Sequence, residues 1–169
     1  IIGLITSCFG GCDDYKYVTY KGIDISIEDS YINNEDSLLM KVNYTGVDFI
    51  AKRFFKDIGS NNLYAFDCDM GGGGDKFPLT KISIRSNSDF NSEYLANEEL
   101  NNIVKVFGYD SNEVYIFDYL ENFNPEDINN GFFYIISKPE IDKKHIFTIE
   151  FEKSNDEVVS AISEEVTWE

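Results

Sequence analysis

The sequence predicts an all-β fold, an antiparallel immunoglobulin-like sandwich of seven to eight strands with one or two short helices. At 169 residues, the chain is long enough for a single domain whose core needs no metal or disulfide. Its composition, 43% hydrophobic and 15% aromatic, is too apolar for a disordered chain. Abundant β-formers and several short alternating stretches favour sheet over helix.

Two stretches near the start alternate most clearly between apolar and polar residues, which is typical of half-buried strands. Their apolar faces carry Ile23, Ile25 and Ile27 in the first stretch and Leu38, Met40, Val42 and Tyr44 in the second. Shorter strands are predicted at 63–66 and 82–85. A run of four glycines at 71–74 lies between these two strands and reads as a loop.

The middle of the chain carries the helix signals. Asn97 can cap a helix through Phe107, with apolar residues at helical spacing and Gly108 placed to end it. The apolar face of this helix would hold Leu100, Ile103, Val104 and Phe107. Residues 114–123 fit either a short helix or a strand, and we favour the helix.

The last third predicts sheet again. A dense apolar run at 132–137 indicates a central strand, and alternation from His145 to Glu152 indicates another. An Asn-Asp turn at 155–156 closes a hairpin onto a final strand, in which Val166 and Trp168 lie at the sheet edge. The spacing of these elements favours an antiparallel sandwich over βαβ units.

The formal charge of −17 comes from 31 acidic and 14 basic residues. A field of this sign repels phosphate backbones, and no basic stripe interrupts it, so nucleic-acid binding is excluded. The plain interpretation of the charge is solubility. The functional interpretation is an acidic face for cations or cationic partners.

The N-terminal stretch IIGLITSCFGGCDD is apolar but too short to span a membrane. It fits the end of a signal region, and we expect it to be part of a longer precursor. Ile5-Thr6-Ser7-Cys8 resembles the lipobox of bacterial lipoproteins. The alternative is a buried first strand that contains an ordinary cysteine.

The lipobox resemblance implies a lipid anchor on Cys8, which would hold the protein at the membrane. It divides the chain into a signal-peptide remnant at 1–7, a tether at 8–14 and one β-sandwich domain at 15–169. The acidic pair at 13–14 resembles an export signal of anaerobic Gram-negative gut bacteria. The resemblance therefore implies a cell-envelope protein on the outer membrane, facing the periplasm or the cell surface.

The remaining cysteines and the acidic loop give weaker candidates. Cys12 and Cys68 form a possible disulfide in an oxidising compartment, although sequence does not show that they meet. Asp67, Asp69 and Asp75 form a weak calcium candidate, because carboxylates suit Ca²⁺ but their spacing departs from an EF-hand. The glycine run lacks the Lys-Ser/Thr pair of a phosphate loop. No cofactor is predicted.

No catalytic residue is assigned from the sequence. A Ser-His-Asp triad would have to use His145, the one histidine, and alternation places that residue on the core face of its strand. No Gly-x-Ser-x-Gly elbow is present. Paired carboxylates for glycoside hydrolysis stay open, because 31 acidic residues supply many chance pairs.

Six short motifs resemble a group of small secreted lipoproteins of anaerobic gut bacteria, classed as domains of unknown function. They are Tyr15-Lys16-Tyr17, Leu63-Tyr64-Ala65, Ile82-Ser83-Ile84, Asp89-Phe90-Asn91, Lys138-Pro139 and His145-Ile146-Phe147-Thr148. The resemblance covers most of the chain after Cys8 and implies an all-β secreted domain on a lipid anchor. It implies no activity. Relatives carry a second cysteine near Cys68, and its absence here weakens any disulfide carried over from them.

Three functions follow as hypotheses. The leading one is a non-enzymatic accessory lipoprotein that binds a glycan, protein or envelope partner through loops. The alternative is a secreted hydrolase that uses paired carboxylates. The third is a purely structural envelope protein with no soluble ligand.

Overall fold

A computed structural model describes residues 17–32, 37–50, 74–107, 113–116 and 131–169. Strands dominate these residues, and a short 3-10 helix spans Asn101–Ile103. The strands are β1 (Tyr17–Thr19), β2 (Gly22–Ile27), β3 (Tyr31–Ile32), β4 (Leu38–Thr45), β5 (Asp48–Ile50), β6 (Leu79–Ser86), β7 (Val104–Phe107), β8 (Glu113–Tyr115), β9 (Gly131–Ile135), β10 (Lys144–Lys153) and β11 (Val158–Trp168).

The strands form two main sheets and one small one. A four-stranded sheet has the order β3-β11-β10-β6, and a five-stranded sheet has the order β2-β4-β9-β7-β8. β1 and β5 pair separately as a two-stranded ribbon. Every pairing is antiparallel except that between β3 and β11, which is parallel. The predicted all-β antiparallel sandwich is therefore confirmed.

The core lies between the inner faces of the two main sheets. Alternate residues of β10 point inward from the four-stranded sheet, and alternate residues of β4 and β9 point inward from the five-stranded sheet. The buried side chains at the centre include Met40, Val42, Ile84, Phe133, Phe147, Ile149 and Phe151. Full burial of one such side chain contributes about 1.5–3 kcal/mol, so this apolar layer is the main source of stability.

Period-two patterns identified their strands correctly. The predicted alternation in β2, β4 and β10 is confirmed, and β9 is central in its sheet, between β4 and β7. The turn after β10 also lies where the sequence predicts it. Asp156 adopts a positive φ of 64°, a backbone region that Asp tolerates better than most residues, and its N–H donates to the Lys153 carbonyl at 2.9 Å.

The predicted helix at 97–107 is wrong. Asn97 has a positive φ of 68°, and its N–H donates to the carbonyl of Ser86, the last residue of β6. The chain then makes one 3-10 turn and enters β7, where Val104 and Val106 are both buried. Pairing of β7 with β8 and β9 satisfies the backbone and buries alternate residues, which outweighs the weaker helical spacing.

Other predictions need smaller corrections. Residues 113–115 form β8 and not the start of a helix, whereas 117–123 and the strand predicted at 63–66 lie outside the described residues. Eleven strands are present among the described residues, more than the seven or eight expected. Four of them, β1, β3, β5 and β8, are only two or three residues long, which is too short to show an alternating pattern in the sequence. Trp168 does not lie at an edge, since β3 pairs with this end of β11.

Among the described residues, no helix is long and apolar enough to cross a lipid bilayer.

Candidate functional site

His145 occupies the core position that the sequence predicts, inside a cage of aromatic rings. It is fully buried at the start of β10, and the ring centroids of Phe90, Phe147 and Trp168 lie 5.3–5.8 Å from its own. Its Nε2 donates to the carbonyl oxygen of Asp142 at 2.8 Å. Nδ1 of the neutral ring therefore accepts the hydroxyl proton of Ser86, at 2.7 Å.

This serine–histidine pair does not have the arrangement of a hydrolytic triad. Ser86 is 2% exposed, and its Oγ also accepts the N–H of Ser88. The Asp142 carboxylate, which a triad would place on the imidazole, instead accepts the N–H of Asp89. Burial lowers the pKa of His145, so the ring stays neutral in the folded chain. The pair serves to satisfy polar groups within the core.

A charge network lies on the outer face of β6 and β10. Arg85 pairs with the carboxylates of both Glu99 and Glu150, and Lys81 pairs with Glu99 at 3.2 Å. The hydroxyl of Ser83 also donates to Glu99. This hydrogen bond, helped by the two cations, lowers the pKa of Glu99. Glu99 is therefore an ionised carboxylate, partnered through its Oε1, and a poor general acid.

An open cleft begins beside this network, and we call it the β6 cleft. It has a volume of about 570 Å³, within the range of small-molecule sites. It is lined by residues 80–82 of β6, by Glu99, Asn101 and Asn102, and by Tyr115 and Ile116 at the end of β8. Residues from two sheets and from the link between them thus meet at one concave surface.

Asn101 sets the shape of the β6 cleft by binding the edge of β6. Its Nδ2 donates to the Ile82 carbonyl at 2.7 Å, and its Oδ1 accepts the N–H of Ile84 at 3.1 Å. The Leu100 N–H donates to the Ile84 carbonyl at 2.8 Å. A side-chain amide therefore bridges two backbone groups as a neighbouring strand would, and the 3-10 turn that begins at Asn101 leads the chain away from β6.

Two side chains of the cleft lining, those of Tyr115 and Asn102, are exposed to solvent and can contact a ligand. Tyr115 is 43% exposed, and the ammonium group of Lys105 lies 5.6 Å from the centre of its ring. Asn102 is exposed beside it. Ile82 and Ile116, each 1% exposed, provide the apolar part of the lining. An exposed aromatic ring beside an exposed amide group is typical of a ligand site.

A second polar cluster lies at the far end of β10. The side chain of Lys153 is fully buried, with its Nζ 3.8 Å from the Tyr20 ring centroid and donating to the Tyr20 carbonyl oxygen. The carboxylate of Glu157 lies 3.4 Å away. Asp75 is nearby and 3% exposed, and burial raises its pKa although the hydrogen bond from the Phe77 N–H and the charge of Lys153 oppose the shift. These groups join β1, the 74–78 segment and the last hairpin.

Most of the residues singled out from the sequence lie outside the described part of the chain. They are Cys8, Cys12, Cys68, Asp67 and Asp69, so the lipidation, the disulfide and the calcium site stay predictions. Asp75, the described member of the calcium candidate, instead uses Oδ1 to accept the Phe77 N–H at 2.9 Å. Within the described residues, no three His, Cys, Asp or Glu side chains gather as metal ligands.

Sequence reasoning missed the three residues that most define these sites. Asn101 fell inside a predicted helix, Tyr115 fell inside an ambiguous stretch, and Lys153 was not assigned a role. The buried partner of Lys153 is a backbone carbonyl 133 residues earlier in the chain, and no local pattern reports such a contact. Two signals were available: the Asn-Asn pair at 101–102, and the alternation of β10, which places Lys153 on the same face as Phe151.

No protein-family model matches the chain, and a search of curated proteins returned no match.

Proposed function

We propose that the chain is the folded domain of an uncharacterised cell-envelope lipoprotein, held on the outer membrane through Cys8, that binds a partner without chemically changing it. Its site is the β6 cleft. The observation that carries the proposal is the combination there of an exposed aromatic ring and amide group with a charge network in which Glu99 already pairs with Lys81 and Arg85. Such a surface suits recognition better than catalysis.

The alternative, a secreted hydrolase with two carboxylates, has less support. A glycosidase needs one carboxyl group held protonated as the acid and another held ionised. Glu99 is the one carboxylate among the described residues of the lining, and it shares Arg85 with Glu150. The lowered pKa of Glu99 opposes an acid role. Asp75, with its raised pKa, lies near Lys153 and is not part of the cleft lining.

One experiment distinguishes binding from catalysis. The purified chain is mixed with insoluble envelope fragments that contain outer-membrane and cell-wall polymers, and the bound fraction is measured after sedimentation. We expect the bound fraction to be lost in Tyr115→Ala and kept in Tyr31→Ala, which removes a tyrosine of β3 that is still more exposed, 56% against 43%. We expect no new reducing ends in the supernatant. Equal retention of both variants, or steady release of reducing ends, would contradict the proposal.

The anchor needs its own measurement. The full precursor is expressed in a Gram-negative host, and the mass of its mature N-terminal peptide is determined. A peptide that begins at Cys8 and carries acyl chains is the expected result. An unmodified peptide that runs through Ser7 into Cys8 would remove the lipid anchor and the outer-membrane location together.

A further inference from the structure

The positive and negative side chains that line the β6 cleft neutralise each other. Lys81 and Glu99 are its two charged lining residues, and they form an ion pair at 3.2 Å. The other lining residues are uncharged, in a chain whose formal charge is −17. An anionic ligand would meet the repulsive field of the whole molecule, and a cationic one would find no unpaired carboxylate among the described residues of the lining. The cleft therefore favours an uncharged ligand.

The kinds of side chain in the cleft narrow the ligand further. A sugar ring presents C–H groups on its faces and hydroxyl groups around its edge. The Tyr115 ring, which is 43% exposed, can pack on such a face. The side chain of Asn102 offers both a donor and an acceptor, which suits the hydroxyl edge. A cleft of about 570 Å³ holds a short oligosaccharide segment.

We propose that the β6 cleft binds a neutral oligosaccharide, with Tyr115 as its stacking platform and Asn102 as a hydrogen-bonding group. This inference rests on the proposed binding function and names its ligand class. Lys105 is the cross-strand neighbour of Tyr115 in the β7–β8 pair, and its ammonium group, 5.6 Å from the ring centre, restricts the ring on one side. A rigid aromatic ring loses little conformational freedom on binding.

Calorimetric titration of the full chain with defined probes tests the inference. The neutral probes are the hexasaccharides of maltose, cellulose, xylan, mannan, laminarin and chitin. Oligogalacturonate and chitosan hexamers serve as anionic and cationic probes, and an uncharged Ser-Val hexapeptide serves as the peptide probe. We expect at least one neutral hexasaccharide to bind, and we expect the anionic probe to give no heat.

Variants then locate the binding. Tyr115→Ala should weaken the neutral ligand about tenfold, because stacking contributes about as much as one tenfold step in affinity. Tyr115→Phe keeps the ring and should bind within about threefold of the parent. Asn102→Ala should weaken binding without changing the fold, and Tyr31→Ala should bind as the parent does. Circular dichroism verifies that each variant is folded.

Three results would overturn the inference. One is unchanged affinity in both Tyr115→Ala and Asn102→Ala. Another is binding of a charged probe or the peptide with no neutral hexasaccharide bound, which would leave the envelope-retention result standing. The third is no heat with any probe. If that result came with loss of envelope retention in Tyr115→Ala, the binding function would survive and its ligand class alone would fail.

Discussion

His145 and Ser86 show how the fold satisfies polar atoms within an aromatic core. The imidazole donates through Nε2 and accepts through Nδ1, so both nitrogens are satisfied while the ring is neutral. Protonation would place a proton on Nδ1, where the Ser86 hydroxyl now donates, and would leave a buried charge among three aromatic rings. A neutral His145 is thus a condition for the packing around it.

This arrangement predicts a pH dependence of stability. The pKa of His145 in the folded chain lies below its usual 6.5, so as the pH falls the unfolded state takes up the proton first. The free energy of unfolding should therefore decrease as the pH falls below 6.5. From about pH 7.5 to about pH 5, the histidine contributes at most about 2 kcal/mol of this loss.

Urea denaturation of the parent and His145→Gln at several pH values measures the histidine contribution. Glutamine can both donate and accept but does not titrate, so the variant should lose less stability than the parent as the pH falls. The titrating carboxyl groups are common to both proteins and cancel in the comparison. Parallel pH profiles for the two proteins would show that His145 does not hold a depressed pKa.

Lys153 is the second residue whose environment is unusual for its type. Its ammonium group is fully buried against the Tyr20 ring, and its positive charge acts on the buried carboxyl group of Asp75. One Asp75 oxygen has no hydrogen-bond partner among the described residues. The stability of the group therefore depends on Lys153, because removing a buried charge leaves its neighbours uncompensated.

Lys153→Met should decrease the free energy of unfolding by about 2–4 kcal/mol, although methionine has nearly the same length. Adding Asp75→Asn should recover part of the loss, since asparagine keeps the acceptor for the Phe77 N–H and carries no charge. Equilibrium urea denaturation of the single and double variants gives the coupling energy. Strictly additive effects would mean that the two residues do not interact.

At the scale of elements, the segment from Asn97 to Asn101 forms hydrogen bonds along the edge of β6. Asn101→Ala removes two hydrogen bonds to that edge and should cost about 1–3 kcal/mol of unfolding free energy. Asn102→Ala is the matched control, being the same substitution one residue later on an exposed side chain, and should change stability by less than about 0.5 kcal/mol. Urea denaturation compares them, and equal losses would show that the Asn101 amide is not structural.

The same segment shows how far sequence patterns reach. The alternation in β4 and β10 identifies strands because one face packs on the core along the whole element. Residues 97–107 carry helical spacing, yet β7 is fixed by β8 and β9, which come later in the chain. Long-range pairing is invisible to local periodicity. The β6 cleft depends on that pairing, so its lining residues can be identified only when the positions of β6 and β8 in the fold are known.

The whole molecule carries a charge of −17, which opposes its own compaction. Salt should relieve this repulsion, because the screening length falls from about 30 Å at 0.01 M to about 3 Å at 1 M ionic strength. We expect the melting temperature to rise by about 3–6 °C over that range. NaCl and KCl should act alike if screening is the cause. A flat or falling melting temperature would show that the acidic residues are locally compensated.

The central claim is that the β6 cleft is the place where the molecule meets its partner. The most direct test is the amide spectrum of the isotope-labelled chain, recorded before and after addition of solubilised envelope extract. The account predicts shifts confined to residues 80–82, 99–102 and 115–116. Shifts centred instead on the exposed Val158 and Ile162 of β11, or a spectrum that does not change, would contradict it.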